Sequence, residues 1–416
     1  MPIGSTGYRR QSAFITMAGY LKNGSKGQGW KTLKFHRPGI TGGGLMAKSH
    51  RKKIIFISPV PYEGAGCRFR IWQYLPYLKE RQIDGFISPF MSSYFFKIVY
   101  KDKGSIRKIF FFMLGLLRRL ADIMSIFRYD AVYVYRESLP LGPVIFEKLV
   151  HLLGKPLIFD FDDAVFLPNS SPNNKLVKLF RNNNNASKII SLSKEVIAGN
   201  MFLKEYAQRF NPNVTVIPTP VDTEYFCPAP HTRQREKVIV GWMGSPTTEQ
   251  YLYPLEPVFK QLFLKFKDKL VFRIIGASGQ KNSNAMFEYR DWQIEREADD
   301  LRDFDIGIMP LNDDLWCRGK CGFKALLYMS TGVACVCSSV GANKEIIDDG
   351  VDGLLAKNLN EWFEKLSSLI EDHDLRRKIG IKAREKVILR YSLNVNAPLF
   401  CDLVEKVCSP AEVEKA

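Results

Sequence analysis

The chain has 416 residues, more than one hydrophobic core usually serves, and its 46% hydrophobic composition is ample for two cores. It contains no run of about 18 apolar residues and no secretory leader pattern, which points to the cytoplasm. The net charge of +17 sits in the first half: residues 1–220 hold 33 Lys and Arg against 13 Asp and Glu, and the rest 27 against 30. No aromatic-rich RNA-binding signature accompanies those cations, so a nucleic-acid partner is not expected.

Residues 1–51 contain no acid and much glycine, and are expected to form a disordered basic leader. Structure is expected from "KKIIFISPVP", a strand-type run followed by the turn "YEGAG" and an amphipathic "CRFRIWQYLPYLKERQ". Strand and helix then alternate: "DAVYVYRE" with "PVIFEKLVHLLG", "PLIFDFDD" with "KLVKLFRNNNN", "SKIISLS" with "VIAGNMFLKEYAQRF", and "NVTVIPTPVD". After the Pro-rich "CPAPHTRQREK" the pattern restarts with "KVIVGWMGS", "LVFRIIGAS", "FDIGIMPL" and "GVACVCSS". Strands rich in Val, Ile and Phe with helices between them predict α/β architecture with parallel, doubly wound sheets. We expect two Rossmann-like domains facing across a cleft, over 52–220 and 221–390, and a C-terminal helix in 391–416 crossing back to the first domain.

The segment "SIRKIFFFMLGLLRRLADIMSIFRYD" aligns Phe110, Met113, Leu114, Leu117, Ala121 and Met124 on one helical stripe. That stripe is read first as a helix wedged against its own sheet; the alternative, for which its cations speak, is a helix lying in a membrane interface.

Eight cysteines scattered along a long chain argue for reduced thiols, and the five histidines lie away from "CRGKCGFKALLYMSTGVACVCSS", so no metal site is expected there. Ligands of open α/β sheets bind at the carboxyl ends of strands. The loops concerned are "EGAGCRFR", "YRESLPLGP", "DFDDAVF", "GSPTTEQY" and "CRGKCGFK". In "GSPTT" a strand runs into an expected helix start, where free N–H groups suit a phosphate. In "CRGKCGFK", Gly319 and Gly322 allow close approach to an anion and Arg318, Lys320 and Lys324 supply charge; the alternative is a solvated basic turn. The aspartates of "DFDD" suit either an acceptor hydroxyl, through Asp162 or Asp163, or Mg²⁺; Asp160 reads as structural, and Glu137 is placed to share the acceptor role.

From "KKIIFISPVP" to the end, some 365 residues, the chain resembles a family 4 glycosyltransferase of the GT-B fold, of the branch seen among polysaccharide-building enzymes. The resemblance rests on "VIPTPVDTEYF", "GWMGSPTTEQYL", "FDIGIMPL" and "WCRGKCGFKALLYMSTGVACVCSSVGANKEIIDDGVDGLLA". It implies transfer of a sugar from a nucleotide-sugar, usually with retention and with no metal or other cofactor, onto a glycan or lipid-linked glycan in surface polysaccharide synthesis. The basic first domain and the segment 105–128, with a lipid-linked acceptor, suggest a peripheral place at the inner face of the plasma membrane. The family's usual paired glutamates fall on Gly319 and Leu327, and its usual cationic pair on the stretch Met243, Gly244 and Ser245. The donor site is therefore assigned to Gly64, Gly66, Arg68 and Arg70 from the first domain, and to Gly244, Ser245, Thr247, Arg318, Lys320, Gly322, Lys324 and Glu345 from the second. Asp162, Asp163 and Glu137 are assigned to catalysis. A sugar-nucleotide epimerase and a silent nucleotide-sugar-binding protein are the alternatives.

Overall fold

A computed structural model describes residues 51–99, 105–140, 142–167, 185–229, 236–277 and 286–409; the expected leader, Arg51 apart, and the "KLVKLFRNNN" stretch lie outside them. The first sheet comprises β1 (Lys52–Ser58), β2 (Ile83–Pro89), β3 (Ala131–Tyr135), β4 (Leu157–Phe161), β5 (Glu195–Ala198) and β6 (Val214–Val216), in the order β2-β1-β3-β4-β5-β6. The second comprises β7 (Val238–Met243), β8 (Leu270–Ile275), β9 (Phe287–Arg290), β10 (Ile306–Met309), β11 (Ala334–Ser338) and β12 (Leu354–Ala356), in the order β12-β11-β10-β7-β8-β9. Every pairing is parallel. Such strands must be apolar on both faces, and β3 "AVYVY" and β11 "ACVCS" are buried throughout.

The last helix, Leu393–Cys408, packs on the first sheet: its Phe400, Val404 and Val407 share a core with Ile54, Phe56 and Tyr133. The chain thus crosses between domains twice, and the crossings touch, because Val221 accepts from Leu393 N (2.8 Å) and donates to Tyr391 O (2.9 Å).

Two local expectations are corrected. "SKIISLS" is helical (Asn185–Leu192), and the strand is Glu195–Ala198 just beyond it. The buried residues Ala186, Ile189 and Ile190 are spaced by three and four, a helical pattern too short to tell from a strand by apolar content. Helix Ser105–Ser125 is rotated relative to the expected core-facing stripe: Phe110, Met113, Leu114, Leu117, Ala121 and Met124 are exposed, while Gly115, Arg119 and Asp122 are buried. Gly115 lets the helix lie on the Phe90 ring, which a Cβ there would meet at 2.6 Å. Arg119 and Asp122 are buried because each is fully bonded. Arg119 donates to Asp122 (2.5 Å), Ser138 O (2.9 Å), Ser88 O (3.0 Å) and Ser58 O (3.2 Å), and Ser88 Oγ donates to Asp122 (2.8 Å).

Candidate active site

The parallel register sets Tyr135 of β3 beside Asp160 of β4, so the residues that follow each strand meet at the carboxyl edge of the first sheet. Arg136 turns there with φ +61°, a left-handed conformation that costs a non-glycine residue roughly 1–2 kcal/mol. Its partners hold it: its N–H donates to Asp160 O (2.7 Å), its Nε to Asp162 Oδ1 (2.8 Å) and its Nη2 to Asp163 Oδ2 (2.5 Å). Tyr135 Oη adds a bond to Asp162 (2.7 Å). Burial acts to raise the Asp162 pKa, but the Arg136 and Arg70 guanidiniums and the Tyr135 hydroxyl hold it below the usual carboxylate range. Asp162 is therefore a fixed, ionised acceptor of hydrogen bonds. Glu137 lies in the same turn and, with Arg136 and Ser138, lines a pocket closed by Val144, Val165 and Ile189.

The opposite wall is the "CRGKCGFK" turn of the second domain. Gly319 lies against Ala164, so closely that a Cβ would sit 2.6 Å from the alanine methyl. Asn200 Nδ2 donates to the carbonyls of Gly319 (3.1 Å) and Lys320 (3.2 Å), and Cys321 Sγ to Asp162 O (3.1 Å). These contacts bring Lys320 Nζ to 3.6 Å from Asp163 Oδ1. Gly322, at φ +64°, is the left-handed residue from which helix Phe323–Ser330 starts. In the first turn of that helix Lys324 lines a cleft with Trp242, Thr248, Tyr251, Met309, Leu311 and Lys320. Its ammonium lies 5.7 Å from the Trp242 ring centroid, and among the described residues it makes no ion pair. Burial, reinforced by the neighbouring Lys320 charge, pushes its pKa down to about 8. A desolvated cation without a counter-charge is an anion site by its electrostatics.

Arg68 and Arg70, assigned to the donor, are engaged elsewhere. Arg70 is buried in the first domain, donating to Asp160 Oδ2 (2.8 Å) and Ile217 O (2.8 Å), with Tyr133 on the same carboxylate. That confines Asp160 to the core. Arg68 pairs with Glu297 of the second domain (2.9 Å) in a buried contact bordered by Trp292, tying the two domains together. Their early position in "CRFR" showed charge but could not show partners more than 80 residues away. Gly66 packs under the Tyr135 ring and Gly64 over Val60. Gly244, Ser245 and Thr247 follow β7 as a hydroxyl-lined turn, with Ser245 Oγ 2.9 Å from Thr247 Oγ1. The expected α-helix does not start there; the chain makes 3₁₀ turns at Glu249–Tyr251 and Tyr253–Leu255 first. Arg318 pairs at the surface with Asp313 (2.8 Å). Glu345 lies on the second-domain side of the cleft, where burial and the charge of Glu205 from the first domain raise its pKa. Leu327, at one of the usual glutamate positions, is buried in the second core.

Tyr135, Arg136, Trp242 and Tyr251 were missed from sequence. Tyr135, Arg136 and Trp242 sit at or just beyond strand ends already identified as ligand-facing, and Tyr251 closes the "GSPTTEQY" loop after one of them, which was the available signal.

Residues 237–372 match the family described as "Glycosyl transferases group 1". No curated protein sequence matches the chain. Among solved structures, a glycosyltransferase from Rickettsia africae superposes with a TM-score of 0.62 at 17% identity, covering 87% of this chain and all of that one. A sucrose-phosphate synthase from Thermosynechococcus elongatus gives 0.62 at 13% identity, covering 86% and 99%. Anabaena HepE in complex with UDP-glucose gives 0.62 at 14% identity, covering 85% and 99%. The solved structures share the two-domain GT-B fold along most of the chain, and within it the second domain, residues 237–372, is that of the group 1 glycosyltransferases.

Proposed function

We propose that the chain transfers a glycosyl unit, with retention of anomeric configuration, from a nucleotide-sugar to a glycan or lipid-linked glycan acceptor in surface polysaccharide synthesis. No metal or other cofactor takes part in this reading. The observation that carries it is the asymmetry of the cleft: a buried Lys324 with no ion pair among the described residues, on the second-domain wall, faces an aspartate pair clamped by Arg136 on the first. Lys324, with the free N–H groups that begin helix Phe323–Ser330, receives the donor diphosphate and stabilises the charge that develops as it departs. Hydroxyls of Ser245 and Thr247 line the same wall. Asp162 and Asp163 accept hydrogen bonds from the acceptor and orient its attacking hydroxyl, beside the pocket that Glu137 lines. Anabaena HepE in complex with UDP-glucose supports a nucleotide-sugar of that kind.

Incubating the protein with a panel of nucleotide-sugars, with and without glycan acceptors, tests the reading by NMR of the product. The expected result is acceptor-dependent release of nucleoside diphosphate and a glycoside of the donor's own anomeric configuration. Donor interconverted without acceptor would make the protein an epimerase, binding without any turnover would make it a silent module, and an inverted product would overturn retention.

A further inference from the structure

We infer that the outward face of helix Ser105–Ser125, continued by Phe127 and by Ile145, Leu149 and Leu152 of the adjoining helix Ile145–Leu152, docks on a bilayer surface containing anionic lipid. Three observations converge on it. Ile106 and Met124, at opposite ends of the helix, are each 84% exposed, and Phe110, Met113, Leu117 and Leu120 between them are exposed as well. Apolar side chains gathered this densely on one face mark an interaction site, whereas single exposed ones are ordinary. No helix among the described residues is long and apolar enough to cross a membrane, so contact would be along the surface.

The charge on this face selects the occupant. Residues 105–128 hold five Lys and Arg and one acid. That acid, Asp122, is buried against Arg119, whereas Arg107, Arg128 and, on the adjoining helix, Lys148 are exposed. A second copy of the chain meeting this face about a two-fold axis would set these cations against their own kind. Anionic headgroups would neutralise them while the acyl boundary receives the apolar side chains.

The placement also fits a site that works at an interface. Arg119 fixes the helix to Ser58 O, Ser88 O and Ser138 O, at the carboxyl ends of β1, β2 and β3. Ser138 belongs to the pocket that Arg136 and Glu137 line. A bilayer on this face would lie beside the edge where the acceptor is received. The docking claim itself stands apart from the donor and acceptor assignments, because lipid binding needs neither.

Flotation of the full chain with phosphatidylcholine vesicles, and with vesicles that also contain phosphatidylglycerol, tests it. The protein should float with the anionic vesicles, less so as salt rises, and little with phosphatidylcholine alone. Replacing Phe110 and Leu117 together by serine should lower the partition coefficient by roughly a hundredfold, about tenfold for each apolar side chain withdrawn. Arg107→Glu with Arg128→Glu should abolish the preference for anionic lipid. The melting temperature and nucleoside diphosphate binding, measured on the same samples, check folding; should the serine variant unfold, the charge variant decides. Equal flotation with both vesicle types, none with either, or variants that float like the parent would overturn the inference. So would light scattering showing a dimer that the serine variant dissociates while no vesicle binding occurs.

Discussion

The two walls of the cleft handle charge in opposite ways. On the first-domain wall every charge is answered: Arg70 by Asp160, and Arg136 by Asp162 and Asp163. On the second-domain wall Lys324 makes no ion pair among the described residues: an aromatic ring lies beside it, and the Asp163 charge offsets its burial only in part. A balanced cluster is a finished object, rigid before substrate arrives; an unbalanced cation leaves electrostatic work for a ligand to complete. The contrast predicts that substitutions on the two walls change stability in opposite directions.

The largest effect is expected at the balanced wall. Arg70→Met would leave Asp160, 0% exposed, buried without its cation. Breaking one partner of such a pair costs roughly 3–5 kcal/mol. Urea denaturation should show that loss, and an unchanged midpoint would mean that the interior of the first domain tolerates the bare carboxylate.

Asp162→Asn separates charge from shape at the same wall. The amide oxygen can still accept from Tyr135, and Asp163 still pairs with Arg136, so the fold should survive. Turnover should fall by roughly a hundredfold or more, the scale of a positioned group acting on a reacting proton. Donor affinity, measured by calorimetry, should stay near that of the parent. Full turnover in the variant would remove Asp162 from the reaction.

The fold was largely legible from sequence because its signal is local. Parallel strands buried on both faces announce themselves as apolar runs such as "IIFI" and "AVYVY". The edge strands β2 and β9 were not read, since "IDGFISP" and "FEYR" are partly exposed and interrupted by polar residues, nor was β12, whose three residues "LLA" are too short a run to signal a strand. The site was half legible. Chemistry-bearing loops could be named because topology puts them at strand ends, yet the role of each cation depends on partners brought in by the fold. Arg68 meets Glu297 and Arg70 meets Asp160, whereas Lys324, a cation like them, makes no ion pair among the described residues. Likewise the apolar stripe of Ser105–Ser125 looked like a core face because periodicity cannot see that Arg119 finds three carbonyls inside.

Lys324→Met tests the unbalanced wall and should move stability the other way. Removing a desolvated, unpaired ammonium while keeping the aliphatic stem should leave the melting temperature equal or higher. Nucleoside diphosphate affinity should fall by about tenfold or more, because charge-assisted contacts to phosphate are worth roughly 1.5–3 kcal/mol. The bare nucleoside offers the cation no comparable charge, so its affinity should hold. Equal weakening of both ligands would make Lys324 a shaper of the pocket.

The smallest expected effect is a pH dependence whose sign the same residue fixes. Lys324 titrates at about 8 in the free protein, below its ordinary value of 10.5, and the charges facing it are Lys320, which lowers it, and Asp163, which raises it. Between these two values the unfolded chain holds a proton that the folded chain has released. Stability of the ligand-free protein should therefore gain from this group as pH rises through that window, and the penalty should be fully present below about 8. Diphosphate binding runs the other way. An anion favours the charged amine, so affinity should decline by up to about tenfold between pH 7 and 9 as the free protein loses the proton. The terminal phosphate is already ionised across that range and cannot produce the decline. In Lys324→Met both slopes should flatten, measured by thermal melting and by calorimetry across the same buffers. A parent whose diphosphate affinity is level from pH 7 to 9 would show that Lys324 keeps its proton at these pH values, and with it a counter-charge.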